Sequence, residues 1–337
     1  MAKSDSLRPS DAPARLPTNS LSLIQNPLPW LQAFWKFSRP HTIVGTSLSV
    51  VGLFVMAWAA RHPFGANPGT LHIWRGVAAM LLTWLACLCG NVYIVGLNQL
   101  EDVDIDRVNK PHLPIASGEF SRSQGVLLVA LALTAAMTLA GLSQSLYLIA
   151  TIWISVAIGT AYSLPPIRLK RFPLWASICI LAVRGAVVNL GIYLHASHQL
   201  GLLPVVPLRV WALSLFVLIF SFAIAIFKDI PDIEGDRLYG IKTFSLQLGQ
   251  QSVFNLARWV LTACYLGMIA AIPFLTGTNP IVLLVTHGAA LIVFWQQSHR
   301  VHLDGSTGTM SYPDFYQFIW KLFFVEYLIF PAACLLG

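Results

Sequence analysis

The chain has 337 residues, 56% of them hydrophobic and only 10% charged, with a mean hydropathy of +0.68 and a formal net charge of +7. So large an apolar share exceeds what one soluble core of this length needs, which excludes a water-soluble globular domain and makes a lipid bilayer the solvent. The Lys and Arg residues are spread over several short loops with no basic stripe and interleaved aromatics, so no nucleic-acid partner is expected.

Residues 1–26 hold scattered Pro, Ser and isolated charges and are expected to form a disordered tail, without the apolar h-region of a secretory signal. Residues 27–337 are expected to form one transmembrane domain. Trp30, Phe34 and Phe37 recur at i, i+4 and i+7, which predicts a short interfacial helix over 30–37. Arg39 and His41 follow in "SRPHT" and are candidates for holding a substrate carboxylate or diphosphate. Continuous apolar runs then predict nine transmembrane helices, near 41–60, 76–100, 124–142, 145–164, 174–195, 209–228, 252–274, 279–297 and 315–336. At 1.5 Å per residue a run of about 20 residues crosses a hydrocarbon layer roughly 30 Å thick. The expected fold class is all-α, a multi-pass membrane bundle.

Sixteen Lys and Arg fall on the side shared by the N-terminus and the loops after the even-numbered spans, against Arg61, Arg75 and Arg209 on the other. The positive-inside rule makes the first side cytoplasmic, or the equivalent face of an internal membrane. The five cysteines all lie in predicted spans, with no ligand partners near them, and read as small packing residues.

Acids are rare, yet eight of the fourteen sit in two stretches on that cytoplasmic side: Glu101, Asp102, Asp104 and Asp106 after the second span, and Asp229, Asp232, Glu234 and Asp236 after the sixth. Asn98, Asp102 and Asp106 recur at i, i+4 and i+8, and Asp229, Asp232 and Asp236 at i, i+3 and i+7, so each trio shares one helical face. Like charges so placed repel unless a cation lies between them, and an all-oxygen donor set suits Mg2+. Two such clusters facing each other would hold two metal ions over a diphosphate. Arg107 and Lys110 beside the first, and Lys228 and Lys242 beside the second, would take the remaining phosphate charge. Solvation of loop ends is the plainer reading of such acids, but it does not account for the repeat, the phasing or the adjoining cations.

The loop "YSLPPIRLKRFP" after the fourth span adds Tyr162, Arg168, Lys170 and Arg171 on the same side. These are phosphate-donor candidates or ordinary positive-inside anchors. Arg184 lies in mid-span in "ILAVRGAVVNLGIY", where a charge costs roughly 2.5 to 3.5 kcal/mol on insertion scales, so it should face the bundle interior and meet an anion of substrate or protein.

The paired "NxxxDxxxD" and "DxxDxxxD" segments in a nine-span chain resemble the UbiA-type aromatic prenyltransferases. The strings "NQLEDVDIDRVNKPHLPIASG", "FWKFSRPHTIVGTSLSV" and "KDIPDIEGDRLYGIKTFS" are similar to the homogentisate prenyltransferases among them, above all the phytyl-transferring members. The resemblance implies a bundle around a central cavity and Mg2+-assisted ionisation of an allylic diphosphate. Phytyl diphosphate and homogentisate are the implied substrates, with decarboxylation of the latter, in tocopherol biosynthesis and in a photosynthetic or inner membrane. It implies catalytic roles for Asp102, Asp106, Asp232 and Asp236. Geranylgeranyl- and solanesyl-using relatives, chlorophyll synthases and 4-hydroxybenzoate prenyltransferases share these features. A transporter is the reading from another class, but acids at the ends of two like-oriented spans suit one site better than alternating access.

Overall fold

A computed structural model describes residues 20–62, 70–230, 248–301 and 310–337. Pro27 and Pro40 open α1 (Pro27–Phe37) and α2 (Pro40–Arg61) at first-turn positions, where a helix has no use for the missing N–H. α3 (Thr70–Glu101) is the longest helix and starts ahead of the expected 76–100, since no Pro interrupts residues 70–76. The chain breaks at Asp102 and continues as the short α4 (Val103–Asn109). α5 (Arg122–Leu142) begins at a capping box in which Ser121 accepts from the Gln124 backbone N–H and the Gln124 side chain accepts from that of Ser121. α6 (Leu146–Ser163), α7 (Leu174–Gln199), α8 (Leu208–Lys228) and α9 (Gln250–Phe274) follow. α10 (Pro280–Ser298) is capped by Asn279, and α11 (Tyr312–Leu335) by Ser311, which is why α11 starts three residues before the expected boundary.

Nine of these helices among the described residues, α2, α3 and α5 to α11, are long and apolar enough to cross a membrane, and their ends fall within a few residues of most of the predicted ones. The only extended pairing described is an isolated bridge between Val301 and Met310. Residues 1–19 of the expected tail lie outside the described residues. Leu21 does not hang free: its N–H donates to the Glu119 carbonyl at 2.9 Å, and Gln124 Nε2 donates to its carbonyl at 2.7 Å.

Lipid tails are as apolar as Leu, so close packing and interhelical hydrogen bonds hold such a bundle together. α8 and α11 are its most enclosed spans and α10 the least. α3 runs along α5, α2 along α11, and α8 along α9. Gly96 permits one of these approaches: a Cβ there would meet Phe37 of α1 at 2.6 Å and Val129 of α5 at 2.8 Å. Trp84 Nε1 donates to Ser47 Oγ at 2.8 Å, and Tyr93 shares a 2.7 Å hydrogen bond with Thr160. Deep in the bundle, His287 Nε2 of α10 lies 3.3 Å from Glu326 Oε2 of α11, both without solvent exposure. Leu127, Leu131, Trp153, Leu284 and Val285 face outward, as a lipid-facing surface requires.

Candidate functional site

The end of α3 carries the first acidic trio, and the helical phase survives the break at Asp102. The backbone N–H of Asp102 donates to the Asn98 carbonyl, that of Asp106 to Asp102, and that of Lys110 to Asp106, at 3.1, 2.7 and 2.7 Å. One face is therefore continuous from Asn98 to Asp106, as the spacing predicts.

Asp102 is the hub of this face. Its Oδ1 accepts from Arg168 Nη2 at 3.0 Å, and its Oδ2 accepts from Lys170 Nζ at 2.6 Å and from Asn98 Nδ2 at 3.0 Å. Arg39 Nη2 donates to Asn98 Oδ1 at 3.1 Å, which brings the turn before α2 into the same cluster. Burial pulls the Lys170 ammonium below its ordinary value, with the Asp102 hydrogen bond opposing the shift. Asp106 is buried, and its Oδ2 has no hydrogen-bond partner among the described residues. Burial holds its carboxyl above the ordinary value, and Lys110 and Arg39 pull the other way. An orphaned buried carboxylate oxygen beside Asp102 and Asn98 is an all-oxygen donor set that fits a hard divalent cation.

Two of the three described non-glycine residues with left-handed backbone are cations of this cluster: Arg39 at φ 52° and Arg168 at φ 38°. Such conformations cost of order 1 to 3 kcal/mol each and gather where function requires an unusual chain path. Here they turn both guanidinium groups back onto Asn98 and Asp102. Tyr162, at the end of α6, has Lys228, Arg39 and Asp102 around it.

Not every candidate joins the cluster. Arg107 follows Asp106 by one residue, which turns it about 100° round the helix, and it pairs at 3.0 Å with the exposed Asp104. Glu101 likewise turns aside, towards Arg122. Arg171 donates to the Pro166 carbonyl at 3.0 Å and lies over the Phe172 ring. Asp232, Asp236 and Lys242 lie outside the described residues, as does the side chain of Asp229, which closes the sixth span.

Arg184 is the candidate that lies in mid-span. It lies in a π-helical stretch of α7, Ala182–Val187, and meets no carboxylate among the described residues. Its guanidinium sits 5.1 Å from the Trp320 ring centroid and 5.6 Å from that of Phe323. Ring faces attract a cation, and the phenols of Tyr327 and Tyr316 are also near this guanidinium. His41, exposed at the start of α2, lies 5.2 Å from the same Trp320 ring, with Arg39, Arg184 and Lys110 around it.

Sequence reasoning missed Trp320, Phe323 and Asn91. Only Asn91 carried a signal: it is seven residues before Asn98 on the same helical face, and its Nδ2 donates to Thr42 Oγ1 at 2.9 Å.

A model of the UbiA prenyltransferase family matches residues 44–322. Homogentisate phytyltransferase of Synechocystis sp. is 50% identical over 308 residues, which span 90% of this chain and 96% of that protein. Homogentisate phytyltransferase 1, chloroplastic, of Arabidopsis thaliana is 40% identical over 308 residues, 89% of this chain and 75% of that one. A structure of a UbiA homolog from Archaeoglobus fulgidus bound to GPP and Mg2+ has the same fold, with a TM-score of 0.57 at 16% identity over 89% of this chain and 99% of that one.

Proposed function

The chain belongs to the UbiA prenyltransferase family, and on that premise we propose that it transfers a phytyl group from phytyl diphosphate to homogentisate, with loss of the carboxylate as carbon dioxide. The observation that carries this reading is Asp102 held between Arg168 and Lys170 at the C-terminal end of α3, with Asn98, Arg39 and the orphaned Asp106 beside it. A diphosphate site needs both signs of charge in one place, and this cluster supplies them.

Asn98, Asp102 and Asp106 would hold Mg2+, with Asp229, Asp232 and Asp236 as the second donor set. When bound, the ion supplies Lewis-acid stabilisation of the departing pyrophosphate, worth several kcal/mol in such sites. The chain's own cations do the rest. Arg39, Arg168 and Lys170, with Lys110 and Lys228 nearby, orient the diphosphate and neutralise the charge that grows on it as the allylic C–O bond breaks. Pyrophosphate leaves with that electron pair, and a ring carbon of the acceptor bonds to the allylic carbon and releases its proton. The side-chain carboxylate departs as carbon dioxide, and a proton takes its place to leave a methyl group. Tyr162, with Lys228, Arg39 and Asp102 around it, would face the same diphosphate.

The protein is an integral membrane protein. The Lys and Arg asymmetry supports a cytoplasmic or stroma-equivalent placement of the charged cluster, and the cyanobacterial and chloroplastic relatives support a photosynthetic or inner membrane. Purified protein given homogentisate with phytyl, geranylgeranyl or solanesyl diphosphate in turn should yield mainly the phytylated product. That activity should vanish in excess chelator and in Asp102→Ala, whose thermal transition in detergent should remain cooperative. Turnover of only the other donors would replace phytyl as the group transferred, and full turnover in chelator would remove the metal from the scheme.

A further inference from the structure

The diphosphate cluster leaves an interior cation unused. Arg184 lies ten residues inside α7 from Leu174, about 15 Å along the helix axis, away from the Asp102 hub. Trp320 is the wall that it shares with His41, its ring being 5.1 Å from the guanidinium and 5.2 Å from the imidazole. His41 in turn has Arg39 beside it, and Arg39 is bonded to Asn98. The order of groups from the charged end inward is therefore Asn98, Arg39, His41, Trp320 and Arg184.

Arg184 is also held in place. Tyr327 donates its hydroxyl to Asn189 Oδ1 at 2.9 Å, and Asn189 Nδ2 donates to the Gly185 carbonyl at 3.2 Å, so the residue next to Arg184 is tied to α11. A Cβ at Gly185 would meet Leu218 at 2.8 Å, so the π-helical stretch is pressed against α8 on its other side. π-Bulges gather at functional positions, and this one turns a guanidinium towards aromatic rings in a half-buried space with no protein carboxylate among the described residues.

We propose that Arg184, Trp320 and His41 form the acceptor pocket, with Arg184 pairing with the carboxylate of an aromatic acid whose ring lies against Trp320 and His41. The proposal rests on the reading that the acceptor is such an acid, and it names the residue that recognises it. Planar, fork-shaped donors suit a carboxylate, and a flat indole suits the ring that bears it. The pocket adjoins the diphosphate cluster through His41 and Arg39, which sets the acceptor ring beside the carbon that the diphosphate leaves. A carboxylate here would give the guanidinium fork two charge-assisted acceptors.

The test compares homogentisate with its neutral methyl ester as ligands of wild type and of Arg184→Gln, by competitive inhibition and by calorimetry, with KM measured separately for acceptor and donor. Wild type should bind the acid more tightly than the ester, and Arg184→Gln should bind the two about equally. The acceptor KM should rise at least about tenfold while the donor KM stays within about twofold, tenfold being the effect of 1.4 kcal/mol. An acid-to-ester preference kept at its wild-type ratio overturns the proposal. So does a rise in donor KM alone, which would move Arg184 to the diphosphate, or a lower Tm with unchanged kinetics, which would make it a packing residue. Should the Gln variant not fold, Arg184→Lys keeps the charge without the fork, and it must still reduce the acid-to-ester ratio. A wild-type protein that prenylates no homogentisate with any donor defeats the proposed function itself, whereas turnover with a ratio insensitive to Arg184 defeats only the pocket.

Discussion

At the scale of single residues, local periodicity was legible and tertiary aim was not. Asn98, Asp102 and Asp106 follow from the 3.6-residue repeat, and the backbone bonds from Asn98 to Lys110 keep them in phase through a helix break. Nothing in "RLKR" tells that Arg168 and Lys170 turn inward while Arg171 turns out. That choice is made by the left-handed backbone at Arg168, a tertiary constraint that four adjacent residues do not encode. Arg168 therefore offers an unusual stability test. Gly reaches φ 38° without the Cβ penalty that Ala meets, whereas Gly is ordinarily the poorer choice. Both substitutions delete the same guanidinium, so Arg168→Gly should be more stable than Arg168→Ala by about 1 kcal/mol, with equal losses of activity. Thermal unfolding of both variants in one detergent reads the order, and the usual order, Ala above Gly, would show that the strain is absent.

At the scale of helices, the spans were legible because a membrane leaves the backbone few options and the length rule is physical. The π-helical stretch of α7 was not, since its register is set by Asn189, Tyr327 and Leu218 rather than by its own residues. The contact of His287 with Glu326 also escaped sequence reasoning, although an acid deep in the last span was a signal that could have been read. This contact ties α10 to α11, with Tyr265 of α9 beside Glu326. Removing one partner leaves the other uncompensated in a dry interior, which costs about 3 to 5 kcal/mol, whereas replacing both with apolar residues is often neutral. His287→Leu should accordingly lower thermal stability sharply, and His287→Leu with Glu326→Leu should recover most of the loss. A double variant as unstable as the single one would mean that helix packing, not the ionisable contact, had been damaged.

At the scale of the whole molecule, the chain gathers cations from two distant segments, Arg39 in one and Arg168 with Lys170 in the other, around the carboxylate region of a third, the end of α3. That convergence could be expected from topology, because all three segments fall on the side richer in Lys and Arg. In the resting molecule Asp102 already occupies the groups that a diphosphate would need, and so acts as a resident competitor of the substrate. An arriving anion must displace Asp102, and a cation that captures Asp102 releases Arg168 and Lys170 for the anion. Each ligand thus relieves a cost that the other would bear, and such coupling is reciprocal by thermodynamic necessity, commonly about 5- to 150-fold. The consequence runs against intuition: in chelator, catalytically dead Asp102→Asn should bind inorganic pyrophosphate more tightly than the active enzyme does, because its cations are no longer held by a negative neighbour. Calorimetry that finds equal or weaker binding would mean that Arg168 and Lys170 are not restrained by Asp102 at all.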